Sequence, residues 1–116
     1  MAKHNKLGKE GELIAFMVLQ RDGFTILETN WRFQKSEIDI IAKKDGFLIF
    51  TEVKTRGSNK FGTPSDSIDK KKIELYKDAV EGYLEKYPSE DEIRFDVFNI
   101  IIRKDETQIE HIPNAF

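Results

Sequence analysis

Apolar and polar positions alternate along this chain with two periods. Between residues 6 and 21, Ala15, Phe16 and Leu19 recur at helical spacing, and Asp22-Gly23 follows as a C-terminal stop signal. This predicts a first helix from about Lys6 to Arg21. A strand from about Phe24 to Phe33 comes next. Ser36–Ala42 and Phe47–Lys54 then form two short apolar-rich runs separated by Lys43-Lys44-Asp45-Gly46. Asp-Gly between two such runs is a strong hairpin signal, because both central residues of the tight turn need positive φ. After a polar stretch, Ile68, Tyr76, Val80 and Leu84 repeat at helical spacing. They predict a second helix from about Ser67 to Tyr87, ended by Pro88. Arg94–Arg103 and Gln108–Ile112 read as two further strands. The resulting order is helix, three strands, helix, two strands, which suits a mixed α/β sheet with helices on both faces.

The hairpin places unusual chemistry in apolar surroundings. With Asp45-Gly46 as the turn, Asp39 falls opposite Glu52 and Glu37 opposite Lys54. Strand alternation then sends all four to one face together with Ile41, Leu48 and Phe50, leaving Ile38, Ile40, Ile49 and Val53 on the other. Strands apolar on both faces belong to a sheet covered on both sides. Charged groups embedded there must be paired or bound to metal, or else shift their pKa and neutralise. Neighbouring strands lie about 4.8 Å apart, so two opposed carboxylates can share one divalent cation at bonds of about 2.1 Å. The alternative is structural: a Glu37–Lys54 cross-strand ion pair with Asp39 and Glu52 solvated at the rim. Opposed carboxylates without a cation repel, which favours the metal.

Two further charged residues fall on helix faces that point inward. Glu12 precedes Ala15, Phe16 and Leu19 by three, four and seven residues, which places it on the packed side of the first helix. It either joins the carboxylate cluster or complements the helix dipole from the first turns. Lys72 fills the gap in the four-residue ladder of the second helix. It either reaches the cluster or packs its stem and carries the ammonium to water.

Composition narrows the function. The 116 residues include no cysteine and only two histidines, His4 and His111, near opposite ends. Disulfides, zinc–thiolate sites and cysteine nucleophiles are excluded, and a histidine-based triad finds no support. The length suits one core. The start is polar, and no apolar run reaches the ~20 residues of a membrane span. A soluble, cytoplasmic protein with no membrane partner is the expectation. The net charge of −2 hides an asymmetry: residues 1–72 hold 14 Lys/Arg against 10 Asp/Glu, and residues 73–116 hold 5 against 11. Basic residues flank the carboxylate cluster, among them Arg32, Lys35, Arg56, Lys60, Lys70 and Lys71. A basic margin around an acidic centre suits a polyanion. The loop from Arg56 to Asp66, with two glycines and a proline, offers backbone amides to phosphates.

Glu12 on a first helix, then Asp39, then Glu52-Val53-Lys54, resembles the PD-(D/E)xK nuclease superfamily. The whole chain is similar to the YraN-like family of small bacterial proteins within it. The matching pieces include Gly11-Glu12, Asn30-x-Arg32, Glu37-Ile38-Asp39, Glu52-Val53-Lys54-x-Arg56, Phe61-Gly62-x-Pro64, Arg94-Phe95-Asp96-Val97 and the ending His111-Ile112-x-Asn114-Ala115-Phe116. Two departures stand out. Ser36 replaces the family's usual glycine, and Ile38 stands where the superfamily's motif has proline.

The resemblance implies one restriction-endonuclease-like domain over residues 1–116. The implied activity is Mg²⁺-dependent endonucleolytic hydrolysis of phosphodiesters in nucleic acid, DNA first and branched DNA among the candidates, with Mn²⁺ able to substitute. Asp39, Glu52 and the Val53 carbonyl are the implied metal ligands. Lys54 is the implied catalytic lysine, Glu12 and Lys72 complete the catalytic set with Lys71 as the alternative lysine, and Glu37 is accessory. Arg32, Arg56, Lys60 and Lys71 are the expected nucleic-acid contacts, and a homodimer is allowed by analogy with resolvases. The competing expectation is a nucleic-acid-binding module with little or no turnover of its own, acting with a partner.

Overall fold

The computed structural model describes residues 2–57 and 70–115, with side chains from Lys6 onward. The elements run α1 (Ala2–Arg21), β1 (Thr25–Phe33), β2 (Ser36–Lys44), β3 (Phe47–Arg56), α2 (Lys70–Lys86), β4 (Glu92–Ile102) and β5 (Thr107–Ile112). This is the expected order α-β-β-β-α-β-β. α1 begins earlier than its apolar stripe suggested. The expected first residues of α2, with Ile68, lie outside the described residues, as do Lys60, Phe61, Gly62, Pro64 and most of the polar loop.

The five strands form one mixed sheet in the order β1-β2-β3-β4-β5. Only β3 and β4 run parallel, and α2 makes the crossover between them. Both faces are covered. On one, Ile38, Ile41, Leu48 and Phe50 pack against Tyr76, Ala79, Val80 and Tyr83 of α2. On the other, Ile40, Ala42, Phe98 and Ile100 pack against Ala15 and Leu19 of α1. The apolar residues on both faces of β2 and β3 therefore have partners on both sides. Among the described residues, no helix is long and apolar enough to cross a membrane.

The β2–β3 turn is the expected one. Asp45 and Gly46 both have positive φ, 52° and 82°, as a twisted two-residue hairpin requires. The expected register holds from Lys44–Phe47 to Ile40–Thr51, and there the ladder ends.

α1 packs closely against β3 at Gly11, where a Cβ would overlap the Thr55 side chain. This contact seats the middle of α1 over the end of β3 and brings Glu12 to the sheet. Gly11→Ala is expected to destabilise the fold by about 1–3 kcal/mol, because backbone or Thr55 must shift. Thermal melts of the two proteins measure this directly, and Gly8→Ala, where nothing lies within 4 Å, is the control.

Candidate metal and nucleic-acid site

Beyond Ile40 and Thr51, β2 and β3 diverge, and side chains take over the hydrogen bonding. The Val53 N–H donates to Asp39 Oδ2 at 2.8 Å. A strand residue directs its N–H and C=O toward the same neighbour, so the Val53 carbonyl faces the opening that Asp39 borders.

The structure corrects the simple alternation at this point. Ile38 belongs to the α2-side core with Ile41, while Ile40 lies on the α1 side. The alternation therefore breaks at Asp39. The cause is across the strand pair: between the matched pairs Thr29–Ile40 and Trp31–Ile38, Asn30 has φ of 52°. A left-handed residue inside a strand rotates the backbone beyond it, so Asp39 sits at the switch between faces. Its side chain borders both the α1-side and the α2-side cavities.

Glu37 does not pair with Lys54. Its cation is the exposed Arg32, at a loose 3.9 Å, while Lys54 Nζ lies 3.0 Å from Glu52 Oε2. The end of the ladder explains the exchange, since divergence of the strands separates positions 37 and 54. Glu52 is buried, at 4 % exposure. Its Oε2 also receives Lys72 Nζ at 2.6 Å, and its Oε1 accepts the Tyr76 hydroxyl. Burial works against the Lys72 ammonium, but Glu52 outweighs it and holds the lysine above its ordinary pKa. Of the two reasons offered for an inward lysine on α2, pairing with the cluster is the one realised.

One cavity of about 410 Å³ gathers Glu12, Glu37, Asp39, Glu52, Val53, Lys54, Lys72 and Tyr76. Every described residue expected to hold metal or act in catalysis borders it. Of the expected nucleic-acid contacts, Arg32 and Lys71 are exposed and Arg56 is partly buried.

Sequence reasoning assigned no site role to two residues here. Tyr76 was visible only as part of the apolar stripe, although it lies four residues after Lys72, on the same helix face. Asn30 donates to Glu12 Oε1 at 2.9 Å and so ties α1 to the strand switch. Tyr76→Phe is expected to cost about 1–2 kcal/mol, because a buried carboxylate oxygen loses its donor. Chemical denaturation of the two proteins checks this.

Asp39 is the most perturbed carboxyl among the described residues. Burial raises it first, and the Glu12, Glu52 and Glu37 charges add to that, against the lowering effect of the Val53 N–H. The outcome is a pKa of about 7. A cation at this position would relieve the repulsion. The donors suit a hard ion, being two carboxylates and a backbone carbonyl with no sulfur or imidazole. Among the described residues, no three His, Cys, Asp or Glu side chains converge tightly enough to enclose a metal. Mg²⁺ would need only one or two carboxylates here, because it keeps several waters of its own.

A second charged cluster lies on β4. Asp96 is fully buried and accepts Arg94 Nε and Nη2 at 2.9 Å, the Asn114 N–H at 3.0 Å and, at 2.7 Å, His111 Nε2. Burial alone would raise its pKa, but His111, Arg94 and the Asn114 N–H hold it below the usual carboxylate value. This network ties the end of the chain to the sheet.

Comparison with known proteins places the chain. A family model described as uncharacterised protein family UPF0102 matches residues 11–100. The chain belongs to this family. A UPF0102 protein of Flavobacterium psychrophilum is 48 % identical over 116 residues, covering all of this chain and 98 % of its own length. UPF0102 proteins of Christiangramia forsetii and Phocaeicola vulgatus are 47 % and 40 % identical, covering 98 % and 96 % of their lengths. The span matched to UPF0102 runs from Gly11, at the α1–β3 contact, past Lys72 to the Asp96 strand, and so includes the whole cavity described above.

Proposed function

We propose that the protein is a divalent-metal-dependent endonuclease that hydrolyses phosphodiester bonds in nucleic acid, with DNA, including branched DNA, as its substrate. The observation that carries this reading is the junction of Asp39, Glu52 and Val53 with two lysines at the mouth of one cavity. Asp39, Glu52 and the Val53 carbonyl would hold Mg²⁺, which supplies charge neutralisation at the phosphate and acidifies water.

The chain's own groups do the rest. Lys54, at 16 % side-chain exposure, is held by Glu52 at the border of the cavity, where it can orient water or offset charge on the phosphate oxygens. Lys72 approaches the same carboxylate from α2 and can support a non-bridging oxygen. Tyr76 fixes the orientation of Glu52, and Asn30 that of Glu12. The basic flank of Arg32, Lys35, Lys70 and Lys71 favours a polyanion over other substrates.

One observation favours a second reading, a nucleic-acid-binding module without turnover of its own. Glu52 already has two ammonium groups and a hydroxyl as partners without a metal. Incubation with labelled four-way-junction, flap, single-stranded and linear duplex DNA, with and without Mg²⁺, separates the two. Cleavage of at least one substrate, dependent on Mg²⁺ and stopped by chelation, is the expected result. Equal binding with and without Mg²⁺, steeply weakened by salt and with no cleavage, would select the binding module.

A further inference from the structure

A second cavity, of about 280 Å³, opens between α1 and β1 and shares Glu12 and Asp39 with the first. Its chemistry is different. Leu13, Phe16 and Ile40 provide apolar and aromatic walls, and Thr29 and Asn30 provide a hydroxyl and an amide beside them. Leu13 is 59 % exposed and Met17, one turn further along α1, is 58 % exposed, so apolar side chains stand in solvent next to a highly charged centre. Nothing in the core requires them there, since α1 already packs through Ala15 and Leu19.

We infer that this cavity is a nucleobase subsite, which receives one unpaired base of the strand whose phosphate lies at Asp39 and Glu52. The inference rests on the nucleic-acid reading above and adds to it the class of substrate. A dry cavity of about 150 Å³ accommodates a benzene ring, so 280 Å³ is ample for a flat heterocycle. Unstacked bases are held in this manner, with apolar or aromatic groups against the ring face and polar side chains at the edge. Asn30 is well suited to the second task, because its backbone geometry and its bond to Glu12 fix its amide. Lys9 stands at the same cavity, where a flanking phosphate would pass. The shared Asp39 sets the spacing: the base in the cavity belongs to a nucleotide adjoining the scissile phosphate. A base stacked within continuous duplex cannot enter. The site therefore selects single-stranded or flap nucleic acid over fully paired duplex.

The test scans a single abasic nucleotide through the positions flanking the cleaved phosphate, with 2-aminopurine at the same positions as a fluorescent reporter. If turnover is absent, the same scan is read as affinity. One position is expected to lower cleavage about 10–100-fold when abasic, in the range of a lost base–aromatic contact. The 2-aminopurine signal should change on binding at that position alone. Leu13→Trp, which fills the mouth from an exposed site, should bring the intact substrate down to the abasic level without lowering the melting temperature. Cleavage that persists with no sensitive position overturns the subsite and leaves the nuclease reading standing. Failure to bind or cleave any nucleic acid overturns both. A flat scan combined with Leu13→Trp splitting a dimer in light scattering would overturn it too, and would assign the exposed apolar residues to a second copy of the chain.

Discussion

Asp39→Asn is expected to abolish metal-dependent cleavage, by about 10³-fold or more, while making the metal-free protein more stable at pH 8. Both effects arise from one carboxyl. As the proposed metal ligand it would supply charge that an amide cannot, and loss of the ion would remove several kcal/mol of transition-state stabilisation. As a half-buried carboxylate beside Glu12, Glu52 and Glu37, it is costly when ionised, and its pKa is raised from 3.8 to about 7. An acid whose pKa is higher in the folded state favours folding while protonated. That contribution is fully present below about pH 3.8 and is lost as the pH rises through about 7. Asparagine keeps an oxygen for the Val53 N–H and removes the charge. Its gain in the metal-free protein should be about 2 kcal/mol at pH 8, allowing for solvent screening, and should vanish near pH 4. Melting curves at the two pH values measure this. Added Mg²⁺ should stabilise the wild type at pH 8 and leave the variant unchanged. A purely structural residue would show the reverse pattern, with Asn destabilising at every pH.

Asp96→Ala should have the largest effect on stability. The substitution removes the acceptor shared by Arg94, His111 and the Asn114 N–H in a fully buried position. Breaking one partner out of a buried charged network costs about 3–5 kcal/mol, because the remaining charge is left uncompensated. For a chain of this size that is a drop in melting temperature of roughly 10–20 °C. The loss should be felt first at the end of the chain, where Ala115 N–H donates to the Phe95 carbonyl and His111 stacks on Phe98 at 4.3 Å. Hydrogen exchange at β5 and at residues 114–115 should accelerate in Asp96→Asn, a milder change that keeps an acceptor. The lowered pKa of Asp96 adds a pH signature: its contribution is present above the unfolded carboxyl value and is lost as the pH falls through the folded one. The wild type should therefore lose stability on acidification more steeply than Asp96→Ala.

Much of this arrangement was legible in the residues, for identifiable reasons. Asp45-Gly46 fixed the hairpin register because few dipeptides tolerate positive φ twice. The apolar residues on both faces of β2 and β3 required helices on both sides. The spacing of Glu12 and Lys72 within their helical stripes put each on the inward face, and both border the site cavity. The break in alternation at Asp39 was not legible. It depends on a left-handed Asn30 inside a strand that also shifts register between Ile26 and Glu28, and period-two reasoning has no term for that. For the same reason Lys54 was matched to Glu37 although the strands have parted by then. The Tyr76–Glu52 contact joins residues 24 apart through the α2 crossover, and the Asp96 network joins β4 to the end of the chain. Contacts of that kind are set by packing rather than by local pattern.

In the proposed function, Asp39 and Glu52 form a cation site that serves phosphodiester hydrolysis. Calorimetric titration of Mg²⁺ and Mn²⁺ into the wild type and Asp39→Ala, followed by assay of both on labelled junction, flap and single-stranded DNA, tests it most directly. The expected result is one saturable site in the wild type, lost in the variant together with cleavage. A wild type that binds neither ion, or an Asp39→Ala protein that cleaves at the wild-type rate, would contradict the account and leave the carboxylates with a structural role.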